Sequence, residues 1–201
     1  MSVAYRLAYR FGVMPWDAKD PGSLRQLTAM FDREQDGREP PLGRAVDLGC
    51  GTGQQSVDLA RRGWAVTGVD AVPRALDRAR EHARLAGVEV DFRRGDVTRL
   101  SEAVGTGYRL ALDLGCFHGL EDSQRVAYGE QLTMVTEPGA SLLLFAFSPG
   151  RRGPLPRGVD RAGVRAAFAG WRITDDQAVD KTSLSGPAAK AAPRWYRLVR
   201  G

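Results

Sequence analysis

The feature that most constrains this chain is a short apolar strand that runs directly into three closely spaced glycines. The strand is predicted at Arg44–Leu48, and Gly49, Gly51 and Gly53 follow it. Glycine accepts a positive φ and lets the backbone approach a ligand with no Cβ in the way. A helix predicted at Gln54–Arg62 points its free N–H groups and positive dipole end at the same place. This strand, loop and helix favour a carboxylate or phosphate ligand.

Strand and helix patterns alternate along the rest of the chain, which favours a parallel sheet with helices on both faces. Further strands are predicted at Ala65–Val69, Val88–Phe92, Tyr108–Leu112, Ser141–Phe147, Trp171–Thr174 and Arg194–Val199. Helices are predicted at 2–11, 23–34, 73–86, 123–135 and 160–169. The 201 residues fit one domain. We expect a doubly wound α/β domain, which binds ligands beyond the carboxyl ends of its strands.

Composition excludes several other classes of protein. The chain is 43% hydrophobic and 26% charged, which is typical of a globular domain and not of disorder or a coiled coil. Its longest apolar run, Leu142–Phe147, is far shorter than the roughly 20 residues of a membrane span. The first residues lack the apolar segment of a signal peptide. Cys50 and Cys116 lack metal-ligand spacing, which favours free thiols. We therefore expect a cytoplasmic protein with no metal site and no membrane partner.

The charge balance is basic. The 29 basic and 24 acidic residues give a net charge of +5, and the pI is about 9.6. A basic surplus raises the possibility of a nucleic-acid partner. The arginines are, however, scattered over several predicted elements, so we expect no nucleic-acid partner.

The residues around the glycine loop indicate which nucleotide it binds. A dinucleotide fingerprint needs a third glycine where this chain has Gln54 or Ser56, depending on the register. Asp47, just before the loop, suits a ligand that carries an ammonium or a sulfonium group. Asp70 ends the next strand, where a carboxylate can accept from both ribose hydroxyls. Asp96 follows the third strand and can accept from an adenine amino group.

Four motifs in this order resemble the class I S-adenosylmethionine-dependent methyltransferases: VDLGCGTG at 46–53, GVDAVPRAL at 68–76, GDV at 95–97, and a strand that ends at Asp113. The resemblance covers residues 44–147. It implies S-adenosylmethionine as the cofactor and a Rossmann-like seven-stranded sheet, mostly parallel with an antiparallel last strand. The cofactor-binding residues that it implies are Trp16, Asp47, Gly49, Cys50, Gly51, Gly53, Asp70, Ala71, Asp96, Val97 and Asp113.

The segment Val13–Asp17, with Pro21 after it, resembles the thiopurine, halide, thiol and tellurite-resistance methyltransferases. In that group the segment folds over the cofactor, which implies that Trp16 is a lid residue. The alternative is that Trp16 anchors N-terminal helices to the core. The predicted divisions are a helical cap at 1–40, a cofactor-binding core at 44–147 and a C-terminal helix with strands at 148–201.

The segment that follows the fourth strand indicates the class of substrate. Methyltransferases of adenine amino groups and of glutamine carry an Asn/Asp-Pro-Pro-Tyr/Phe motif where this chain has Asp113–Gly119, so those substrates are disfavoured. We expect Phe117, His118, Tyr196 and Arg152 to contact a small molecule. His118 is a possible general base, because imidazole titrates near neutral pH. A substrate contact and a structural role are the alternatives for His118.

The sequence therefore predicts an enzyme that transfers a methyl group to a small-molecule nucleophile, on sulfur, a halide, oxygen or nitrogen, by in-line displacement. Two alternatives stay open. One is an RNA or protein methyltransferase, and the other is a cofactor-binding methyltransferase fold with no methyl transfer or with altered chemistry. We expect a monomer or a homodimer.

Overall fold

The structure, a computed structural model, describes residues 21–150, 157–179 and 191–201. The helices are α1 (Pro21–Gln35), α2 (Gln54–Arg61), α3 (Pro73–Ala86), α4 (Leu100–Ala103), α5 (Asp122–Val135) and α6 (Arg161–Ala167). The strands are β1 (Arg44–Leu48), β2 (Ala65–Asp70), β3 (Asp91–Arg94), β4 (Tyr108–Leu114), β5 (Thr136–Ala146), β6 (Trp171–Ala178) and β7 (Arg194–Arg200). Short 3-10 turns follow β3, at Val97–Arg99, and β4, at Phe117–Gly119.

The strands form one seven-stranded sheet in the order β3-β2-β1-β4-β5-β7-β6. The first five strands pair in parallel. β7 lies between β5 and β6 and is antiparallel to both. The predicted fold class, a mostly parallel Rossmann-like sheet with an antiparallel last strand, is confirmed.

Helices cover both faces of the sheet, each over its own apolar core. On one face, here called the α1 face, Leu27 and Phe31 of α1 pack with Leu59 of α2 against the strands. On the opposite α5 face, Leu132 of α5 and Val164 of α6 do the same. Because successive strand side chains point to opposite faces, each inner strand contributes to both cores. No helix among the described residues has the length and apolar character needed to cross a membrane.

Two strands start at other residues than predicted. β3 begins at Asp91 and not at Val88. The residues between Gly87 and β3 form a loop whose Val88 and Val90 pack against α3, and alternating, partly buried valines resemble a strand in sequence. β5 begins at Thr136, before the predicted Ser141, and a register shift against β4 accommodates the extra residues.

Helix α1 runs across the β6 and β7 side of the sheet. Near its start, the Gln26 side-chain amide donates to the carbonyl of Ala178, at the carboxyl end of β6 (3.2 Å). Near its end, the buried Glu34 carboxylate pairs with Arg197 of β7 (2.5 Å). The start of α1 therefore lies at the edge of the sheet where ligands are expected.

Candidate functional site

Three buried aspartates lie together at the carboxyl ends of adjacent strands. Asp47 of β1, Asp70 of β2 and Asp113 of β4 are 3%, 7% and 0% exposed. Strand register brings them together, since Leu48 of β1 lies beside both Asp113 and Val69. Burying a carboxylate with no counter-charge is costly even when it accepts hydrogen bonds, and burying three close together adds their mutual repulsion. This edge of the sheet is therefore suited to a ligand that carries positive charge.

Asp47 is held by a hydroxyl that the sequence prediction missed. Ser56, in the first turn of α2, donates from Oγ to Asp47 Oδ2 at 2.6 Å. Burial raises the pKa of Asp47 to about 7; the Ser56 hydrogen bond lowers it, and the charges of Asp113 and Asp70 raise it further. The signal available in the sequence was a hydroxyl residue in the first helical turn after the glycine loop.

Asp70 ties the glycine loop to the end of β2. Its carboxylate accepts from the backbone N–H of Gly51 (3.0 Å) and of Val72 (2.8 Å). Burial raises the pKa of Asp70, although both of these hydrogen bonds lower it. Ala71 follows directly and is half-buried. Asp70 therefore fixes the loop and keeps a carboxylate beside it.

The glycine loop is folded so tightly that side chains are excluded from it. Gly53 has φ 77°, and a Cβ there would lie 2.8 Å from the Phe92 ring. Gly49 has φ 73°, and a Cβ there would lie 3.0 Å from Cys116 Cβ. Gly51 likewise has a positive φ, and Cys50 is buried. The backbone of the loop is thus the surface that a ligand would meet.

Asp96 differs from the three buried acids. It is exposed and accepts from the backbone N–H (2.9 Å) and hydroxyl (2.7 Å) of Thr98. Desolvation raises its pKa, but these hydrogen bonds outweigh it, so the net pKa is lowered. Val97 packs into the α5-face core. Both residues lie at the carboxyl end of β3, where the predicted adenine contact would be.

Asp113 is committed to its own loop. Oδ1 accepts from the backbone N–H of Gly115 (2.8 Å) and Cys116 (2.7 Å). Oδ2 accepts from the N–H of Phe117 (3.0 Å) and the hydroxyl of Tyr128 (2.8 Å). Burial raises the pKa of Asp113 to about 6 against these four donors. The carboxylate therefore shapes the turn after β4 from inside.

The structure separates the predicted substrate residues Phe117 and His118. Phe117 is fully buried in the α5-face core, packed against Tyr128 and Phe168. The His118 ring is also buried but stacks on Phe147, with ring centroids 4.6 Å apart. Burial lowers the pKa of His118 to about 4, a backbone hydrogen bond with Phe145 raises it, and Arg125 lowers it. His118 is thus a neutral imidazole and a weak proton acceptor at neutral pH.

The other two predicted substrate residues are Tyr196 and Arg152. Tyr196 points to the α5 face and is buried, next to Asp176 and Arg194. Burial and the charge of Asp176 raise the pKa of Tyr196. Arg152 and Trp16 lie outside the described residues.

Two aromatic residues that the sequence prediction did not single out lie beside His118. Phe145 is half-buried near the end of β5, and Phe147 follows it. Their signal was the alternation of aromatic residues at the carboxyl end of an apolar strand. In the described part of the chain, no group of three or more histidine, cysteine or acidic residues has an arrangement that could hold a metal ion.

Comparisons with known proteins agree with this geometry. Residues 45–139 match the family described as a methyltransferase domain. The chain is 41% identical over 80 residues to a ubiquinone biosynthesis O-methyltransferase of Ruegeria pomeroyi. This aligned region covers 39% of this chain and 32% of that protein. It is 31% identical over 103 residues to an uncharacterized methyltransferase of Schizosaccharomyces pombe. This aligned region covers 51% of this chain and 70% of that protein.

The fold also resembles a solved structure over nearly the whole chain. The N-methyltransferase NodS of Bradyrhizobium japonicum, in complex with S-adenosylhomocysteine, superposes with a TM-score of 0.77 at 17% identity, covering 99% of each chain. By contrast, the match covers only about a third of the Ruegeria enzyme. The family match covers the glycine loop, Asp70, Asp96 and Asp113, and it ends at residue 139, before Phe145.

Proposed function

This chain belongs to the class I S-adenosylmethionine-dependent methyltransferases, and we propose that it transfers a methyl group from that cofactor to a small molecule. The observation that carries the proposal is the group of three buried aspartates beside a glycine loop at the carboxyl edge of the sheet. S-adenosylmethionine carries both an ammonium and a sulfonium group, so its charge complements these carboxylates. When bound, the cofactor supplies a methyl group that the positive sulfur has already activated.

The proposed contacts follow the order of the strands. Asp47 and the glycine loop, with Cys50, would hold the methionine part, and Asp70 would accept from the ribose hydroxyls. Ala71, Asp96 and Val97 would surround the adenine. Asp113 would act through the turn that it shapes, and Trp16 would cover the cofactor from the N-terminal side.

The chain's task in the transfer is to position the acceptor. The nucleophile must lie about 3 Å from the methyl carbon, in line with the departing sulfur and away from water. His118 has a lowered pKa and so accepts a proton poorly. We therefore disfavour a general base for His118, and a substrate contact and a structural role both stay proposals. Phe117, Tyr196 and Arg152 stay proposals as further substrate contacts.

The acceptor atom is a finer proposal. The name of the Ruegeria relative specifies an O-methyltransferase, which supports oxygen. The thiopurine, halide, thiol and tellurite-resistance group stays a proposal that depends on Val13–Asp17, outside the described residues. A cytoplasmic location and a monomeric or homodimeric state are likewise proposals.

Two measurements test the proposed function. Calorimetry with S-adenosylhomocysteine should detect tight 1:1 binding, and absence of binding at millimolar ligand would refute the cofactor assignment. Methyl-labelled S-adenosylmethionine is then supplied with a panel of thiols, halides, phenols and amines. We expect label in at least one small-molecule product. Binding with no transfer to any acceptor would favour a methyltransferase fold with altered chemistry.

The basic surplus gives little support to an RNA substrate. Arginines on α3 and β3 pair with neighbouring acids, as in Arg84 with Glu81 (2.7 Å) and Arg93 with Asp91 (2.8 Å). Such pairs leave less free positive charge for phosphates. Binding to phosphates weakens steeply as salt rises. We expect no binding to bulk RNA at low salt, and a salt-dependent complex would instead support the RNA alternative.

A further inference from the structure

Four ring side chains pack against one another at the carboxyl ends of β4 and β5 and the start of β7, on the side away from Asp47 and Asp70. We call His118, Phe145, Phe147 and Trp195 the aromatic wall. Ring centroids are 4.6 Å apart for His118 and Phe147, 5.7 Å for Phe145 and Phe147, and 5.3 Å for Phe145 and Trp195. Offset and edge-to-face contacts of this kind leave ring faces and edges that a further ring can join.

The register of the sheet places this wall beside the glycine loop. Leu114 of β4 lies opposite Phe145 of β5, and Phe145 lies opposite Trp195 of β7. These three side chains form a row on the α1 face, within the same apolar cluster. The turn after β4 closes the remaining gap, because Cys116 packs directly against Gly49. A molecule on the wall would therefore be adjacent to a cofactor held by the loop.

The wall carries no ionised side chain among the described residues. His118 is neutral at physiological pH, because burial lowers its pKa to about 4. Two described arginines that adjoin the wall in the sequence or through a hydrogen bond are engaged with other groups. Arg194 pairs with Asp176 at 2.6 Å, and Arg125 donates to the carbonyls of His118 and Gly158. Within the described residues, such a surface offers dispersion and ring contacts and offers no counter-charge to a halide or a thiolate.

Exposure shows where the wall is open. Trp195 and His118 are almost fully buried and form its base. Phe145 is only half-buried, so part of its ring remains accessible at the site. Leu114 beside it is half-buried as well.

We propose that the methyl acceptor is a planar, uncharged aromatic molecule whose ring packs on Phe145 within the aromatic wall, with its acceptor heteroatom directed toward the glycine loop. This proposal rests on the proposed function and names its substrate class. In the transfer, a bond forms between the acceptor heteroatom and the methyl carbon as the bond from that carbon to sulfur breaks. The electron pair of the broken bond stays on sulfur, and the heteroatom's proton leaves to solvent.

The test compares matched acceptors on the wild-type protein with methyl-labelled S-adenosylmethionine. Phenol and catechol are paired with cyclohexanol and 1,2-cyclohexanediol, and 2-mercaptoethanol and iodide represent small non-aromatic nucleophiles. We expect transfer to an aromatic acceptor at a kcat/KM at least tenfold above that of its saturated partner. Equal or better transfer to the saturated or small nucleophiles would overturn the proposal. Because phenol ionises far more readily than cyclohexanol, binding of both to the protein loaded with S-adenosylhomocysteine is measured as well. The same aromatic preference must appear there.

A substitution then tests the role of Phe145. Phe145→Leu keeps an apolar side chain but removes the ring, so KM for the aromatic acceptor should rise about fivefold, the contribution of one aromatic pair. Affinity for S-adenosylhomocysteine should stay within twofold. Trp64→Leu is the control, since Trp64 lies in the same apolar cluster just before β2, at the opposite end of the sheet.

The outcomes separate this proposal from the proposed function. If S-adenosylhomocysteine fails to bind the wild-type protein, the proposed function fails first. If the cofactor binds but Phe145→Leu and Trp64→Leu change KM equally, the aromatic wall is part of the core only. Should Phe145→Leu not fold, Phe147→Leu takes its place, and the wild-type acceptor panel stands without either variant.

Discussion

The two halves of the carboxyl edge are built from opposite materials. The half above β1 and β2 has acids and bare backbone, with Asp47 and Asp70 beside the glycine loop. The half above β4, β5 and β7 has rings, with Phe145 and Phe147 around the neutral His118. The first half holds carboxylates so close together that they are unfavourable without a ligand. The second half holds apolar side chains. Under the proposed function, the first half would bind the cationic cofactor and the second would select the acceptor by shape.

The largest expected effect tests whether the acidic half binds the cofactor. Asp70→Ala should weaken S-adenosylhomocysteine binding about a hundredfold, since hydrogen bonds to a charged group contribute about 1.5–3 kcal/mol each. The substitution also releases the N–H groups of Gly51 and Val72. Calorimetry measures the change. Asp77→Ala removes an exposed aspartate on α3 and is the control. An affinity within threefold of wild type would contradict the assignment.

A second prediction uses the protonation of Asp47. Its pKa of about 7 means that it is partly protonated in the free protein at neutral pH. A cationic ligand favours the ionised form. Affinity for S-adenosylmethionine should therefore rise about tenfold from pH 6 to pH 8, because the fraction of Asp47 that is ionised rises by about that factor over this range. Calorimetric titrations across this range measure it. Asp47→Asn should bind weakly at every pH, and a pH slope retained by that variant would assign the effect elsewhere.

A third prediction concerns how the stability of the ligand-free protein depends on pH in each half. Asp47 has a raised pKa, so its contribution is favourable below about pH 4 and is lost as pH rises toward 7. His118 has a lowered pKa, so its contribution is present above about pH 6.5 and is lost as pH falls toward 4. Relative to wild type, Asp47→Asn should therefore gain more stability at pH 8 than at pH 5. His118→Gln should gain more stability at pH 5 than at pH 8.

Thermal unfolding monitored between pH 5 and pH 8 measures both trends. We expect shifts of about 3 °C, because 1 kcal/mol corresponds to about 2–4 °C in a domain of this size. Parallel trends for the two variants would show that the halves do not differ in charge as described.

The smallest effect concerns Asp113, which lies on the border between the halves. Tyr128→Phe removes one of its four donors and leaves three backbone N–H groups in place. Turnover should fall about twofold to fivefold, equivalent to about 1 kcal/mol or less, because three backbone donors still hold the carboxylate, while S-adenosylhomocysteine affinity stays within twofold. Tyr108→Phe is the control, since that hydroxyl donates to Thr67 at the far end of the sheet. A loss of affinity larger than the loss of turnover would place Asp113 in direct contact with the cofactor.

The sequence predicted the acidic half far better than the aromatic one. A charged ligand requires acids and glycines at strand ends, and these residue types are conspicuous at Asp47, Gly49 and Asp70 because they are unfavourable in a core. Phe145 and Trp195 give no such signal. Aromatic residues in an inner strand are typical of a core, and only the register across β5 and β7 shows that they line the carboxyl edge.

The fold was predictable for a related reason, and its boundaries were less so. Alternating strands and helices determine a parallel sheet through chain connectivity alone. The ends of β3 and β5 depend instead on tertiary contacts. Val88 and Val90 pack against α3 and are partly buried without joining a strand. The early residues of β5 pair only because β4 tolerates a shift in register.

The position of β7 also has a consequence for the order in which the sheet forms. β6 is synthesised before β7 but reaches the sheet only through it, because β7 lies between β5 and β6. Until residues 194–200 pair with β5, the eight-residue strand β6 has no neighbour in the sheet. Unpaired strand edges are prone to aggregate. A change that detaches β7 would therefore also release β6 and leave β5 as an open edge.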